Sequence, residues 1–266
     1  MRQSSLNLIC SLALVGSAAA ATYTQNFTFP DGTTTYGDGS TAQGNAAAVP
    51  IVGVQGNQLR LADANTGGTL GAYTIPALAN ASRGWTATFN FSISDIAGGN
   101  QPADGFSFNW GNIPLGTVGA GEEGWASGVP NYVAAMVDLW QNGNPDSPDV
   151  GISDSVSGVA TIVADQDGTV LNDGQTENGV ATITYSPTNG VSFSTTGLLN
   201  NAAFANVGVP GFVPDDAYTF GIVARTGGAT HTLLIDNLTI TSVPEPCGVV
   251  LAGLGGLGLL LRRRRS

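Results

Sequence analysis

The sequence predicts an all-β domain over residues 22–241, a single sandwich or jelly roll, on three observations. Apolar and polar residues alternate in short runs rich in Thr, Val, Ile and aromatics, the period of half-buried strands. Asp-Gly and Asn-Gly pairs punctuate the chain, and no run of ten or more residues carries a 3.6-residue period. In chain order, the alternation marks strands at residues 85–93, 105–110, 159–163 and 180–185. The pairs beginning at Asp31, Asp38, Asp104, Asn142, Asp167, Asp173, Asn178 and Asn189 read as turns, because Gly and Asn supply the positive φ of tight connections. Residues 181–194 read as a hairpin with Pro187 to Gly190 at its tip. About 220 residues without a linker or an internal repeat suit one domain.

The two ends read as addresses. Residues 1–21 open with Arg2, continue through an apolar run from Leu6 to Val15 and close on Ala18, Ala19 and Ala20, the pattern of a secretory signal peptide. Cleavage is expected near Ala20 or Ala21, since ten or so apolar residues are too few to cross a bilayer of roughly 30 Å. Residues 242–266 carry Pro244, Glu245 and Pro246, an apolar segment from Cys247 to Leu261, and Arg262, Arg263, Arg264 and Arg265. Terminal arginines hold that end in the cytoplasm, and a helix over 247–261 reaches only about 22 Å, which suits a transient anchor. This tail resembles the PEP-CTERM sorting signal of Gram-negative bacteria. The resemblance implies recognition and cleavage by an exosortase-type membrane enzyme, transient membrane insertion of the C-terminal helix, release to the cell surface or extracellular matrix, and association with exopolysaccharide.

Composition excludes several partners. The 266-residue chain is 10% charged, has no lysine and carries a net charge of -11. Only Arg60, Arg83 and Arg225 are basic between residues 22 and 246, against all 19 acidic residues, so the mature domain stands at -16. Nucleic acid is thereby excluded, because its binding rests on Lys and Arg neutralising phosphates. Anionic polymers are repelled unless a divalent cation bridges them. Cys10 and Cys247 both lie in the end segments, so no disulfide staples the domain, and with His231 alone they cannot build a zinc site of the His and Cys type.

Three segments carry a family resemblance. Residues 103–108 read Ala-Asp-Gly-Phe-Ser-Phe. Residues 133–152 run Val-Ala-Ala-Met-Val-Asp138-Leu-Trp140-Gln-Asn142-Gly-Asn-Pro-Asp146-Ser-Pro-Asp149-Val-Gly-Ile. Residues 218–228 end in Ala-Arg-Thr-Gly-Gly, and 235–240 read as a closing strand. In this order they resemble the legume-type (L-type) lectins, which implies a concanavalin A-like jelly-roll sandwich, flanked by the signal peptide and the single-helix sorting tail.

The chemistry at those positions is readable from the residues. Asp138, Asn142 and Asp146 supply hard oxygen ligands four residues apart on a strand end and the loop beyond it, and with the Trp140 carbonyl they make a partial Ca2+ cage. The same four positions match the calcium ligands of the L-type lectins. Met136 and Asp149 stand where the family has Glu and His ligands of a second, transition-metal site, so that site is expected to be missing, with Asp149 available to calcium. The resemblance further implies that Asp104 accepts hydrogen bonds from sugar hydroxyls after a cis peptide from Ala103. It also implies that Asn142 serves both calcium and sugar, and that a backbone amide of the 119–124 loop, assigned to Gly124, completes the site. Trp110, Trp125, Tyr132 and Trp140 are the candidates to stack on the sugar. Two plainer readings stand beside these: Asp104 as a turn residue before Gly105, and residues 138–149 as a solvated acidic loop.

Catalysis finds little support. The glucanases that share this sandwich use a Glu-x-Asp-x-x-Glu arrangement with carboxyl groups about 5–5.5 Å apart. Here the glutamates are Glu122 and Glu123, adjacent and facing opposite sides of a strand, the isolated Glu177, and Glu245 of the sorting motif. Asp165 and Asp167 share a strand face but end at Gly168, a hairpin signal. His231 has no Gly-x-Ser-x-Gly elbow to serve, and is expected to be a surface or internally satisfied residue rather than a base. The sequence therefore points to a non-enzymatic carbohydrate-binding protein, with a displayed structural or adhesive matrix block as the alternative.

Overall fold

The computed structural model describes residues 19–44, 52–95, 102–118, 125, 129–140, 149–156, 161–167, 176–197 and 203–244, with Asp95, Asp149 and 161–167 described by backbone alone. Among them the chain forms β1 (Thr22–Gln25), β2 (Thr41–Gly44), β3 (Gly53–Gln55), β4 (Gln58–Ala62), β5 (Leu70–Ile75), β6 (Trp85–Asp95), β7 (Gly105–Gly111) and β8 (Tyr132–Asp138). There follow β9 (Asp149–Asp154), β10 (Thr161–Asp167), β11 (Thr176–Ser186), β12 (Gly190–Thr196), β13 (Ala203–Val207), β14 (Thr219–Arg225) and β15 (His231–Ser242). Residues Ala21–Val243 make one compact unit. The signal segment 1–18 and the tail from Glu245 onward, including Pro246 and Arg262 to Arg265, lie outside the described residues, whereas Pro244 lies just past the unit.

Two antiparallel sheets build the sandwich. One runs β13-β12-β11-β6-β15-β4-β3 with β1 also paired to β15; the other runs β10-β9-β8-β7-β14-β5-β2. The predicted strands at 85–93, 105–110 and 180–185 fall inside β6, β7 and β11, and the one at 159–163 begins two residues later as β10. The hairpin at 187–189 closes with Ser186 opposite Gly190, whose φ of 80° fits the turn reading. The Asn178-Gly179 pair does not turn. It lies in the middle of β11, where Gly179 pairs with Phe91 and a side chain would strike the Phe91 ring and the Thr196 carbonyl, so this glycine serves close strand approach.

Alternation sorts the residues into two cores. Phe106, Phe108 and Trp110 of β7 and Phe220, Ile222 and Ala224 of β14 point between the sheets and meet Phe89, Phe91 and Trp85 of β6. Each such side chain taken fully out of water contributes about 1.5–3 kcal/mol. The sequence predicts that β7 is half-buried, yet every residue of β7 and β8 is buried. The reason is a second cluster on the outer face of this sheet, where Trp125, Tyr132, Ile113, Ala134, Val223 and Ala72 pack together. Gly221 makes room for it, since a Cβ there would sit 2.6 Å from Trp125 Cζ3.

The long strand β6 defines two ends. Trp85 pairs with Ser242, whose amide donates to the Ala21 carbonyl, while the Val243 amide donates to Gly84. Asp95, at the far end, pairs with His231. The first and last residues of the unit thus emerge together, and residues 102–104, just before β7, lie at the opposite end, where the Ala103 carbonyl is hydrogen-bonded to His231.

Candidate functional site

Asp104 sits on the turn that launches β7, held by its neighbours at each backbone atom. The Ala103–Asp104 peptide is cis, as the resemblance implies. The Asp104 amide donates to the Arg225 carbonyl at 2.9 Å, and the Leu139 amide donates to the Asp104 carbonyl at 2.7 Å. One step back, Nδ1 of His231 lies 2.6 Å from the Ala103 carbonyl; a carbonyl only accepts, so Nδ1 carries the proton.

The Asp104 side chain is 15% exposed, and its Oδ2 lies 2.9 Å from Arg225 Nε. That contact is an ion pair without the alignment of a hydrogen bond. Burial pushes the carboxyl above the usual aspartate range, and the Arg225 charge pulls it back down. On the other side runs the backbone of Gly227, where a Cβ would come within 2.7 Å of Asp104 Oδ1. Gly227 is itself fixed, accepting from the Gly68 amide at 3.0 Å, and Thr226 is tied to the Thr69 hydroxyl at 2.7 Å.

Asp138 ends β8 one strand away. It is 7% exposed, and its Oδ1 accepts the Trp140 amide at 2.9 Å, which turns the chain back over the strand end. The register sets Asp138 directly opposite Asp149 of β9 and directly beside Gly105 of β7. Two acidic positions facing each other across a ladder repel unless a cation lies between them. Hard carboxylate oxygens at such a place suit Ca2+. Asn142, Asp146 and the 119–124 loop with Gly124 lie outside the described residues, as does the side chain of Asp149. Among the described residues no three His, Cys, Asp or Glu side chains gather in one place.

The structure revises the aromatic candidates. Trp110 is wholly buried between the sheets, against Tyr185, Phe212 and Phe220. Trp125 and Tyr132 are 1% exposed in the outer-face cluster, where packing and not stacking on a ligand occupies their faces. Trp140 is half-buried beside Asp138 and keeps its place as a candidate. His231 is not on the surface: it is fully buried, burial lowers its pKa to about 4, and Nε2 has no partner. Sequence reasoning missed Arg225 and Gly227 as neighbours of Asp104. The signal was present, since residues 220, 222 and 224 alternate into the core and so turn Arg225 to the other face.

No family model matches the chain, and no curated protein matches it in sequence. Solved structures do match. A peanut lectin with a bound 9mer peptide is 22% identical, with 86% of this chain covered and 100% of that one, at a TM-score of 0.60. The basic winged bean lectin in complex with Tn-antigen is 19% identical over the same shares, at 0.64. The exoplasmic/lumenal domain of VIP36, bound to Ca2+ and Man3GlcNAc, is 16% identical, with 77% of this chain and 86% of that one covered, at 0.59. The protein therefore has the legume-lectin fold, a concanavalin A-like jelly roll.

Proposed function

We propose that the protein is an exported, lectin-like carbohydrate-binding protein, assisted by calcium and associated with exopolysaccharide at the cell surface or in the matrix. One observation carries the sugar-binding reading: Asp104, the backbone of Gly227 and Asp138 converge at one end of the sandwich, with the Asp104 carboxylate edged to solvent. A buried-rim carboxylate beside a side-chain-free backbone is a place where a hydroxylated ring can dock and be oriented by a few polar groups. The basic winged bean lectin with Tn-antigen and VIP36 with Ca2+ and Man3GlcNAc support the same class. Calcium would be held by Asp138 and the Trp140 carbonyl, joined by Asn142, Asp146 and Asp149. It would supply the positive charge that lets these carboxylates share one place. No step of this reading is catalytic. The tail from Pro244 onward supplies the reading of exosortase-type processing and transient insertion of residues 247–261.

The test is retention of the purified mature domain on the producing organism's exopolysaccharide, with calcium and again with chelator. Retention abolished by chelator, and lost in Asp104→Ala and Asn142→Ala variants that keep their far-ultraviolet spectrum, is the expected result. Binding that survives both substitutions refutes the site. Burial of three of the four stacking candidates favours a second reading, a displayed structural block without a sugar site. Absence of retention in either condition would select it.

A further inference from the structure

We propose that Arg225 is a positioning residue of this site: its guanidinium holds one oxygen of Asp104 so that the other accepts hydroxyls of an uncharged sugar, and it does not itself receive an anionic group. The inference rests on the sugar-binding reading above. Its geometry is independent of the loops that carry Asn142 and Gly124.

The cross-strand register places Asp138, Gly105, Arg225 and Leu70 in one row across β8, β7, β14 and β5. Gly105, the position between Asp138 and Arg225 in that row, contributes no side chain. Arg225 holds Asp104 twice, accepting its amide at 2.9 Å and meeting Oδ2 with Nε at 2.9 Å. Oδ2 is shut from solvent with no aligned hydrogen bond, so the ion pair is what offsets its desolvation. Oδ1 makes no hydrogen bond to any described residue and is not among the solvent-shut atoms, so it is the open acceptor. Gly227 limits its swing from behind, because even a Cβ there would press on the carboxylate. A carboxylate gripped at one oxygen and open at the other is oriented for hydrogen bonds from hydroxyl groups.

The charge distribution favours an uncharged ligand. The mature domain carries three arginines against 19 acidic residues, and the charge of Arg225 already faces Asp104. An acidic sugar entering here would meet a net negative surround.

The experiment measures affinity of the mature domain, in calcium, for three immobilised polymers: a mannan, a galactomannan and polygalacturonate. Wild type is compared with Arg225→Gln and Arg225→Lys, each verified by its melting temperature. Expected are binding by wild type to a neutral polymer, a loss of about tenfold in Arg225→Gln, and recovery to within about threefold in Arg225→Lys. Gln sets an uncharged N–H where Nε stood and only Lys keeps the positive charge, so the two variants separate the charge that grips Asp104 from a neutral donor at the same place. Neutral binding unchanged in Arg225→Gln overturns the positioning role and leaves the sugar-binding reading standing. Wild-type preference for polygalacturonate that disappears in Arg225→Gln overturns it in favour of anion reception. A wild-type domain that binds none of the polymers overturns the sugar-binding reading itself.

Discussion

Lowering the pH should unfold this domain partly through one residue, His231. Its ring is fully buried, Nδ1–H donates to the Ala103 carbonyl and Nε2 faces no acceptor. Protonation would place a charge on that bare nitrogen, which is why the pKa falls from 6.5 to about 4. The sign follows from proton binding. Between those two values the unfolded chain takes up a proton that the folded protein refuses, so stability is lost progressively as the pH falls from about 6.5 to about 4 and nothing further is lost below. From pH 7.5 to 4.5 the loss from this residue alone is on the order of 2–3 kcal/mol. A His231→Asn variant can keep an N–H donor to Ala103 without titrating. It should be less stable at neutral pH by a roughly constant amount, through the cavity left by the smaller side chain. Urea unfolding of both proteins at the two pH values isolates the effect, because the carboxylates common to both chains cancel, Asp104 among them. The advantage of wild type over the variant should shrink by roughly 2–3 kcal/mol on acidification. A difference that stays constant within about 0.5 kcal/mol would refute the argument from burial.

Other perturbations have equally definite outcomes. Gly221→Val drives side-chain atoms into Trp125, already 2.6 Å away at the Cβ position, and should cost about 1–3 kcal/mol in thermal unfolding, relieved in a Trp125→Ala background. Phe108→Ala removes a ring that is 2% exposed and stacked on Phe89 at 6.0 Å, and should cost about 3–5 kcal/mol by denaturant titration while leaving the preference among glycans unchanged. Calcium at about 100 times its dissociation constant should stabilise the domain by about 2.7 kcal/mol in calorimetry, and Asp138→Ala should abolish that increment. An unchanged melting temperature in calcium and in chelator would remove the metal from the proposal.

The fold was legible because its signals are local. Period-two alternation over residues 85–93 and 180–185 and the Asn189-Gly190 turn each report on a few neighbouring residues, and these elements formed where the pattern put them. What escaped depends on chain far away in sequence. Trp125 and Tyr132 are candidates to stack on a sugar, but a second cluster on the outer face of β7 and β8 buries them, and no local pattern announces that a sheet is covered twice. Asn178-Gly179 carries the same dipeptide signal as a turn, but it is paired in the ladder with β6, and Phe91 and the Thr196 carbonyl leave no room there for a side chain. His231 could have been placed: with Leu233 and Ile235 it keeps the inward phase of β15, which argues for burial over a surface position. Arg225 was readable by the same phase. Its ion pair with Asp104 needed the register of β7 against β14, which pairs residues about 120 apart in the chain.

The placement of the ends bears on how such a domain would work. Ala21 and Val243 emerge beside Trp85, and His231, Ala103 and Asp104 gather near Asp95 at the other end of the same strand. Ten steps of extended chain separate Trp85 from Asp95, about 33 Å. The points where the chain enters and leaves the sandwich thus lie at one end of it and Asp104 at the other. The proposed processing of the tail would then leave the strands that hold Asp104 untouched. Full-length and tail-cleaved protein should therefore bind the same polymer with the same intrinsic affinity, and a difference between them would mean that the residues beyond Pro244 contribute to the site.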